Sequence, residues 1–175
     1  MVRNVTLRSK GTDNRTPPLV ARESGMTLME LLIVVAIIGI LVAVSIPRLQ
    51  RAHMSANECS ALAASKSIVS AQVDYYNNAA PHTYANSLTL LKTGQGAGEV
   101  AFLDPALGSG VHTGYTFALT TSSEVNGTYQ KWSASCWPIA YRASGIRSFY
   151  VDETGVLRGA DMSGLPGTIQ LPVIQ

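Results

Sequence analysis

From Leu31 to Ile46 the chain reads LLIVVAIIGILVAVSI, without a single charge. Extended back to Met26, the apolar stretch is interrupted only by Glu30. A helix of about 20 apolar residues crosses the hydrocarbon core of a bilayer, so this segment constrains the rest of the chain. Residues 1–25 carry five basic side chains (Arg3, Arg8, Lys10, Arg15 and Arg22) against Asp13 and Glu23, whereas residues 26–175 carry eight basic and nine acidic ones. A basic excess before the apolar run favours a cytoplasmic N-terminus and puts the bulk of the chain outside the cytoplasm. Arg48 and Arg51, directly after the run, reduce that asymmetry. The leader is rich in Pro, Thr, Asn and Ser, with Pro17 and Pro18 adjacent, and such a segment cannot bury a core.

Three readings of the apolar run compete. One is an ordinary secretory signal peptide cut after Ser45 in Ala43-Val44-Ser45, although Pro47 would then stand one residue past the new end. Another is a plain single-pass anchor with Glu30 snorkelling to the interface. The third gives Glu30 a task. A carboxylate at the centre of a membrane helix costs roughly 2.5–3.5 kcal/mol, less near an end, so one retained there needs a reason. Gly25 lies five residues before it. A cut after Gly25 leaves Met26 with a new α-amine and makes Glu30 the fifth residue, about one helical turn on. In a low-dielectric medium the amine of one helix and the carboxylate of a staggered neighbour attract strongly and fix a register.

The run from Gly25-Met26-Thr27-Leu28-Met29-Glu30-Leu31 to Leu41, continuing through Pro47 into Ser55-Ala56-Asn57-Glu58, resembles the N-terminal signature of type IV pilins and pseudopilins. The resemblance covers about the first third of the mature chain. It implies cleavage after Gly25 by a prepilin peptidase on the cytoplasmic face, methylation of the Met26 amine by a prepilin methyltransferase, and an assembly role for Glu30 with Thr27 beside it. An assembly ATPase and a membrane platform would be further partners, with the inner membrane holding the precursor. Two departures bear on the subclass. The residue after the cut is usually phenylalanine and here is Met26, and the leader over 1–25 is long.

After Pro47 the sequence is rich in Ala, Leu, Ser, Gln and Lys, with no further Gly or Pro before Pro81, and predicts a helix continuing to about Tyr76. Ala61, Leu62, Ser65, Ile68, Val69, Tyr75 and Tyr76 fall near one stripe, and Asn77 and Asn78 suit a helix end. Pro47 predicts a kink, with Gly39 a second weak point. Both are routine in membrane helices, while the resemblance implies that Gly39 to Pro47 loses helical order in a filament. Residues 79–113 read as an irregular connection, and the glycines at 94, 96 and 98 lack the context of a phosphate-binding loop.

Strand patterns follow at Tyr115–Leu119, Trp132–Trp137 and Ser148–Val151, with a hairpin over Phe149–Leu157 turning at Asp152-Glu153-Thr154-Gly155. The tail Ile169–Val173 alternates but holds Pro172, which restricts it to an edge. The stretch from Gly145 to Arg158 also resembles the last hairpin of pilin-like sequences. The expected fold is α+β: a long N-terminal helix, its first half for membrane or filament and its second packed on an antiparallel sheet of three to four strands. The expected organisation is a leader over 1–25, an apolar helix over 26–47, an amphipathic continuation over 48–78, a connection over 79–113, and the sheet with its tail over 114–175.

Little else points to chemistry. Two cysteines exclude a disulfide-built miniprotein and an all-cysteine zinc site. Cys59 falls on the helix and Cys136 on a strand, far apart in the chain; outside the cytoplasm they favour a disulfide over two buried thiols. His53, His82 and His112 lack ligand spacing, and no nucleophile–base order stands out. Asp152, Glu153 and Asp161 lack the twelve-residue acidic loop of a calcium site. The seven tyrosines could line a filament surface or stack bases, but a net charge of −1 after processing does not predict DNA affinity. Lys131, Arg142 and Arg147 read as solvated charges. No cofactor or metal is expected, and the expected role is assembly rather than catalysis. A surface pilus serving adhesion, motility or DNA uptake is favoured over the periplasmic pseudopilus of a type II secretion system. The competitor from another class is an exported or anchored ligand-binding domain.

Overall fold

A computed structural model describes residues 25–94 and 100–174. The leader expected over 1–25 therefore lies, apart from Gly25, outside the described residues, as do positions 95–99 of the glycine-rich stretch. The chain divides into two units, one ending at Leu41 and one beginning at Val42. Helix α1, Leu28–Asn78, contributes to both and remains helical at Gly39 and at Pro47.

In the second unit α1 buries Glu58, Ala61, Ala64, Ser65, Ile68, Ala71, Gln72 and Tyr75. The expected stripe is present at Ala61, Ser65, Ile68 and Tyr75, while Leu62, Val69 and Tyr76 are half-buried at its margins. Small residues make up half of this face, and Ser65 Oγ satisfies itself on the helix by donating to Ala61 O at 2.9 Å. The buried Gln72 carboxamide donates to the Ala85 carbonyl and accepts from the Ala85 N–H, both at 2.9 Å, and so holds the following connection against the helix. Polar side chains close the end of α1, one from the helix itself and one from the connection that follows. The Asn78 carboxamide donates to the Asp74 carbonyl at 2.7 Å, and His82 Nδ1, which can only donate to a carbonyl, reaches Tyr76 O at 2.8 Å.

The connection expected to be irregular holds two short helices and a strand. Helix α2, Leu88–Thr93, is capped by Ser87, whose Oγ accepts from Leu90 N. Helix α3, Pro105–Gly108, is capped by Asp104, which accepts from Ala106 N and Leu107 N. Helices this short cannot show a helical period in the sequence.

The sheet has five antiparallel strands in sequential order: β1 (Val111–His112), β2 (Tyr115–Val125), β3 (Thr128–Pro138), β4 (Arg147–Asp152) and β5 (Arg158–Asp161). It therefore exceeds the three to four strands expected. β2 and β3 are each eleven residues long and meet at Asn126-Gly127, whose φ values of 51° and 77° make a tight hairpin turn. The expected turn after Asp152 is present, with Gly155 N donating to Asp152 O at 2.9 Å. Its pairing differs from expectation: Tyr150 faces Arg158, and Val156 and Leu157 lie outside the strand. The Leu157 carbonyl instead accepts from Ile174 N at 2.9 Å, so the tail adds a single bridge, Arg158 to Val173, at the edge. Pro172 takes part through its carbonyl alone, accepting from Gly159 N.

The core lies between α1 and one face of this sheet, where Tyr115, Phe117, Trp132, Ala134, Cys136, Phe149 and Val151 are buried. Tyr75 and Tyr115 thus belong to the core and not to a binding surface. The expected disulfide does not form. Cys59 is exposed and Cys136 buried, both as free thiols. Cys59 lies one position past the buried Glu58 and so turns off the inner face; Ser65 Oγ faces Cys136 Sγ instead, at 3.7 Å. Burial pushes the Cys136 thiol up to about 12, partly offset by Ser65 and the Phe149 backbone. Iodoacetamide should therefore alkylate Cys59 in the folded chain and Cys136 only after unfolding, read as one against two mass additions. Equal labelling of both in the native state would contradict this burial.

Candidate functional site

The residues singled out for processing and assembly stand at the entrance of α1. Gly25, Met26 and Thr27 form an exposed coil directly before the helix. Thr27 is the residue that starts it: its Oγ1 accepts from Glu30 N at 3.2 Å and its carbonyl accepts from Leu31 N at 3.2 Å. The spacing Thr-x-x-Glu is that of a capping box. Here the threonine fixes the Glu30 backbone, and among the described residues the Glu30 carboxylate has no hydrogen-bond or ion-pair partner. A negative charge in the first turn also suits the positive end of the helix dipole.

Every large hydrophobic side chain from Met26 to Leu49 is between 41% and 76% exposed. A helix apolar all round is stable only in lipid or among other helices. The span is long and apolar enough to cross a membrane.

Farther along α1 a second polar group joins the helix to the sheet. The Glu58 Oε1 accepts from Ile146 N at 3.0 Å and Arg147 N at 3.2 Å, while Oε2 accepts from Arg147 Nε at 2.8 Å. The Asn57 carboxamide donates to Ser144 O at 2.9 Å. Burial alone would raise the Glu58 pKa, but the two backbone donors and the guanidinium outweigh it and hold the carboxyl below its ordinary value. Arg147, read from sequence as a solvated charge, is the partner of this carboxylate and lies over the Phe149 ring. Asp152 and Asp161 serve their own turns, accepting from Thr154 N and Ser163 N. Among the described residues no three His, Cys, Asp or Glu side chains gather as a metal site.

The helix entrance agrees with what comparison finds. The prokaryotic N-terminal methylation motif matches residues 20–46. The chain carries the prepilin signature of type IV pilins and pseudopilins. No curated protein and no solved structure matches it. The prepilin motif spans Gly25, Met26, Thr27 and Glu30 and ends one residue before Pro47. Within it the helix cap is made wholly by residues after Gly25, so removing a prepilin leader at that point would leave the cap intact.

Proposed function

We propose that the chain is a structural subunit of a type IV pilus-like filament. Its precursor is held in the inner membrane by residues 26–47, cut after Gly25 by prepilin peptidase and methylated on the Met26 amine. An assembly ATPase and a membrane platform then pack the apolar helices side by side, with Glu30 opposite a neighbour's amine. The observation that carries this reading is the exposed apolar helix headed by a carboxylate that has no partner among the described residues. Lipid satisfies the apolar surface but not the charge. Another copy of the processed chain satisfies both. Gly39 and Pro47 are the positions at which the helix would yield in the filament.

The rival, an exported binding domain released after Ser45, requires a cut inside α1, whereas Gly25–Met26 is a bond in exposed coil. The N-terminal mass of the mature protein, from envelopes and from sheared surface material, separates the two. A chain beginning at methylated Met26 in the sheared fraction is expected; recovery in the periplasm instead would favour a secretion pseudopilus. A chain beginning at Ile46, or an uncut one, would overturn the reading. Gly25→Val sharpens the test, because a Cβ at Gly25 meets nothing within 4 Å and the substitution leaves the fold alone. It should leave the chain at precursor mass.

A further inference from the structure

We infer that Asn126 is an acceptor for N-linked glycan on the exported face of the protein. The chain holds three Asn-x-Ser/Thr sequences, at Asn4, Asn14 and Asn126, and only Asn126-Gly127-Thr128 lies beyond the cut site. It occupies the tip of the β2–β3 hairpin. β3 pairs with β4 only over Ser133–Cys136, whereas it pairs with β2 out to Thr128, so the tip extends past the rest of the sheet. The arm is steadied at Tyr129, whose carbonyl accepts from Tyr84 N and whose N–H donates to Thr83 Oγ1.

The Asn126 side chain is accessible. Glu124, Val125, Asn126 and Gly127 are all exposed. A Cβ added at Gly127 would meet nothing within 4 Å, so a bulky group at the tip has no wall to strike. The Asn126 carboxamide makes no hydrogen bond among the described residues, and its left-handed backbone holds it at the apex of the turn. The half-buried Thr128 hydroxyl donates across the same turn to Val125 O at 2.6 Å, a local bond that has to open for an enzyme to engage it. Glu124, two residues before Asn126, presents a carboxylate that such an enzyme can grip with a cation.

The reaction needs a lipid-linked donor. The Asn126 Nδ2 attacks the anomeric carbon of a polyprenyl-diphosphate oligosaccharide. A C–N bond forms, the bond from that carbon to the diphosphate oxygen breaks, the amide gives up one proton, and polyprenyl diphosphate leaves. The product places a hydrated, bulky group over an otherwise bare two-stranded arm, whose open edge would invite pairing with other strands.

This inference rests on the proposed export of the globular unit. The test is the intact and peptide mass of the full chain from its native host, wild type beside Thr128→Ala, Thr128→Ser and Glu124→Gln. Thr128→Ala removes the acceptor sequence yet keeps the Asn126-Gly127 turn; Thr128→Ser retains the sequence. The expected result is a glycan mass on the peptide containing Asn126, lost in Thr128→Ala, kept in Thr128→Ser and reduced in Glu124→Gln. A chain that begins at methylated Met26 and is unmodified overturns the glycan while the filament reading stands. A glycan on Asn126 of a chain with an uncut leader does the reverse. A mass excess that persists in Thr128→Ala overturns the assignment to Asn126.

Discussion

Glu58→Ala should lower the stability of the globular unit by about 2–4 kcal/mol. The carboxylate accepts from two backbone N–H groups and one guanidinium. Deleting it strands Ile146 N and Arg147 N and leaves Arg147 without its counter-charge. The loss is moderated because the Arg147 side chain is 42% exposed and water can solvate it. The loop it holds has no freedom to compensate: Gly145 passes so near Tyr115 that an added Cβ would lie 2.1 Å from the phenolic oxygen. That phenol in turn donates to Arg147 O at 2.9 Å. Glu58→Gln keeps one acceptor oxygen for the two backbone donors but loses the charge and the oxygen that accepts from Arg147 Nε, so it should cost about half as much, about 1–2 kcal/mol. Thermal unfolding of the detergent-solubilised chain measures both. Equal, negligible losses would show that Glu58 does not hold helix to sheet.

The same carboxylate sets an acid limit. Its folded pKa lies below the ordinary carboxylate value of 4.5, so its stabilisation is complete above that value. It is lost as pH falls from there through the depressed folded pKa, because protonation then favours the unfolded chain. Wild-type stability should decline over that window, and Glu58→Gln should show a correspondingly shallower decline.

The sequence and the structure agree where a physical signal is local. The apolar helix rests on one unbroken uncharged run, and its continuation to the Asn77-Asn78 end and the inward alternation Trp132, Ala134, Cys136 rest on composition and periodicity within one segment. The polar half of β2, Thr120-Thr121-Ser122-Ser123, carries no hydrophobic alternation, and its only local signal is the Asn126-Gly127 turn that closes it. The displaced β4–β5 register depends on the tail returning to capture the Leu157 carbonyl through Ile174 N, a contact too distant in sequence for any local window to contain. Glu58 is the same kind of case. A charged residue on a helix is ordinarily solvated, and this one is buried because donors 88 and 89 positions later converge on it. The Cys59–Cys136 pairing is a compartment argument; a rotation of one helical position, from Glu58 to Cys59, decides against it. At the candidate site the residues are legible in sequence but the division of labour is not: Thr27 holds the helix start and so leaves the Glu30 carboxylate available.

That division makes the assembly role proposed for Glu30 separable from helix stability. Glu30→Gln keeps the backbone N–H that Thr27 caps and removes only the charge. Membrane insertion should be unimpaired, since a neutral amide is less costly in the bilayer than a carboxylate. Within a filament the result differs. The methylated amine of Met26 would face an uncharged partner in an apolar surrounding, and a buried charge deprived of its partner costs about 3–5 kcal/mol. At about 1.4 kcal/mol per tenfold, this is two or more orders of magnitude in affinity at each subunit contact, repeated along the polymer. Filaments should therefore disappear from the sheared fraction while the membrane pool persists at wild-type level. Thr27→Val provides the opposing control: it removes the cap at about 1 kcal/mol but keeps the charge, so filament yield should fall without vanishing. Normal filament yield from Glu30→Gln would remove the charge pair from the mechanism, and the apolar packing of Met26 to Leu49 would then have to set the register alone.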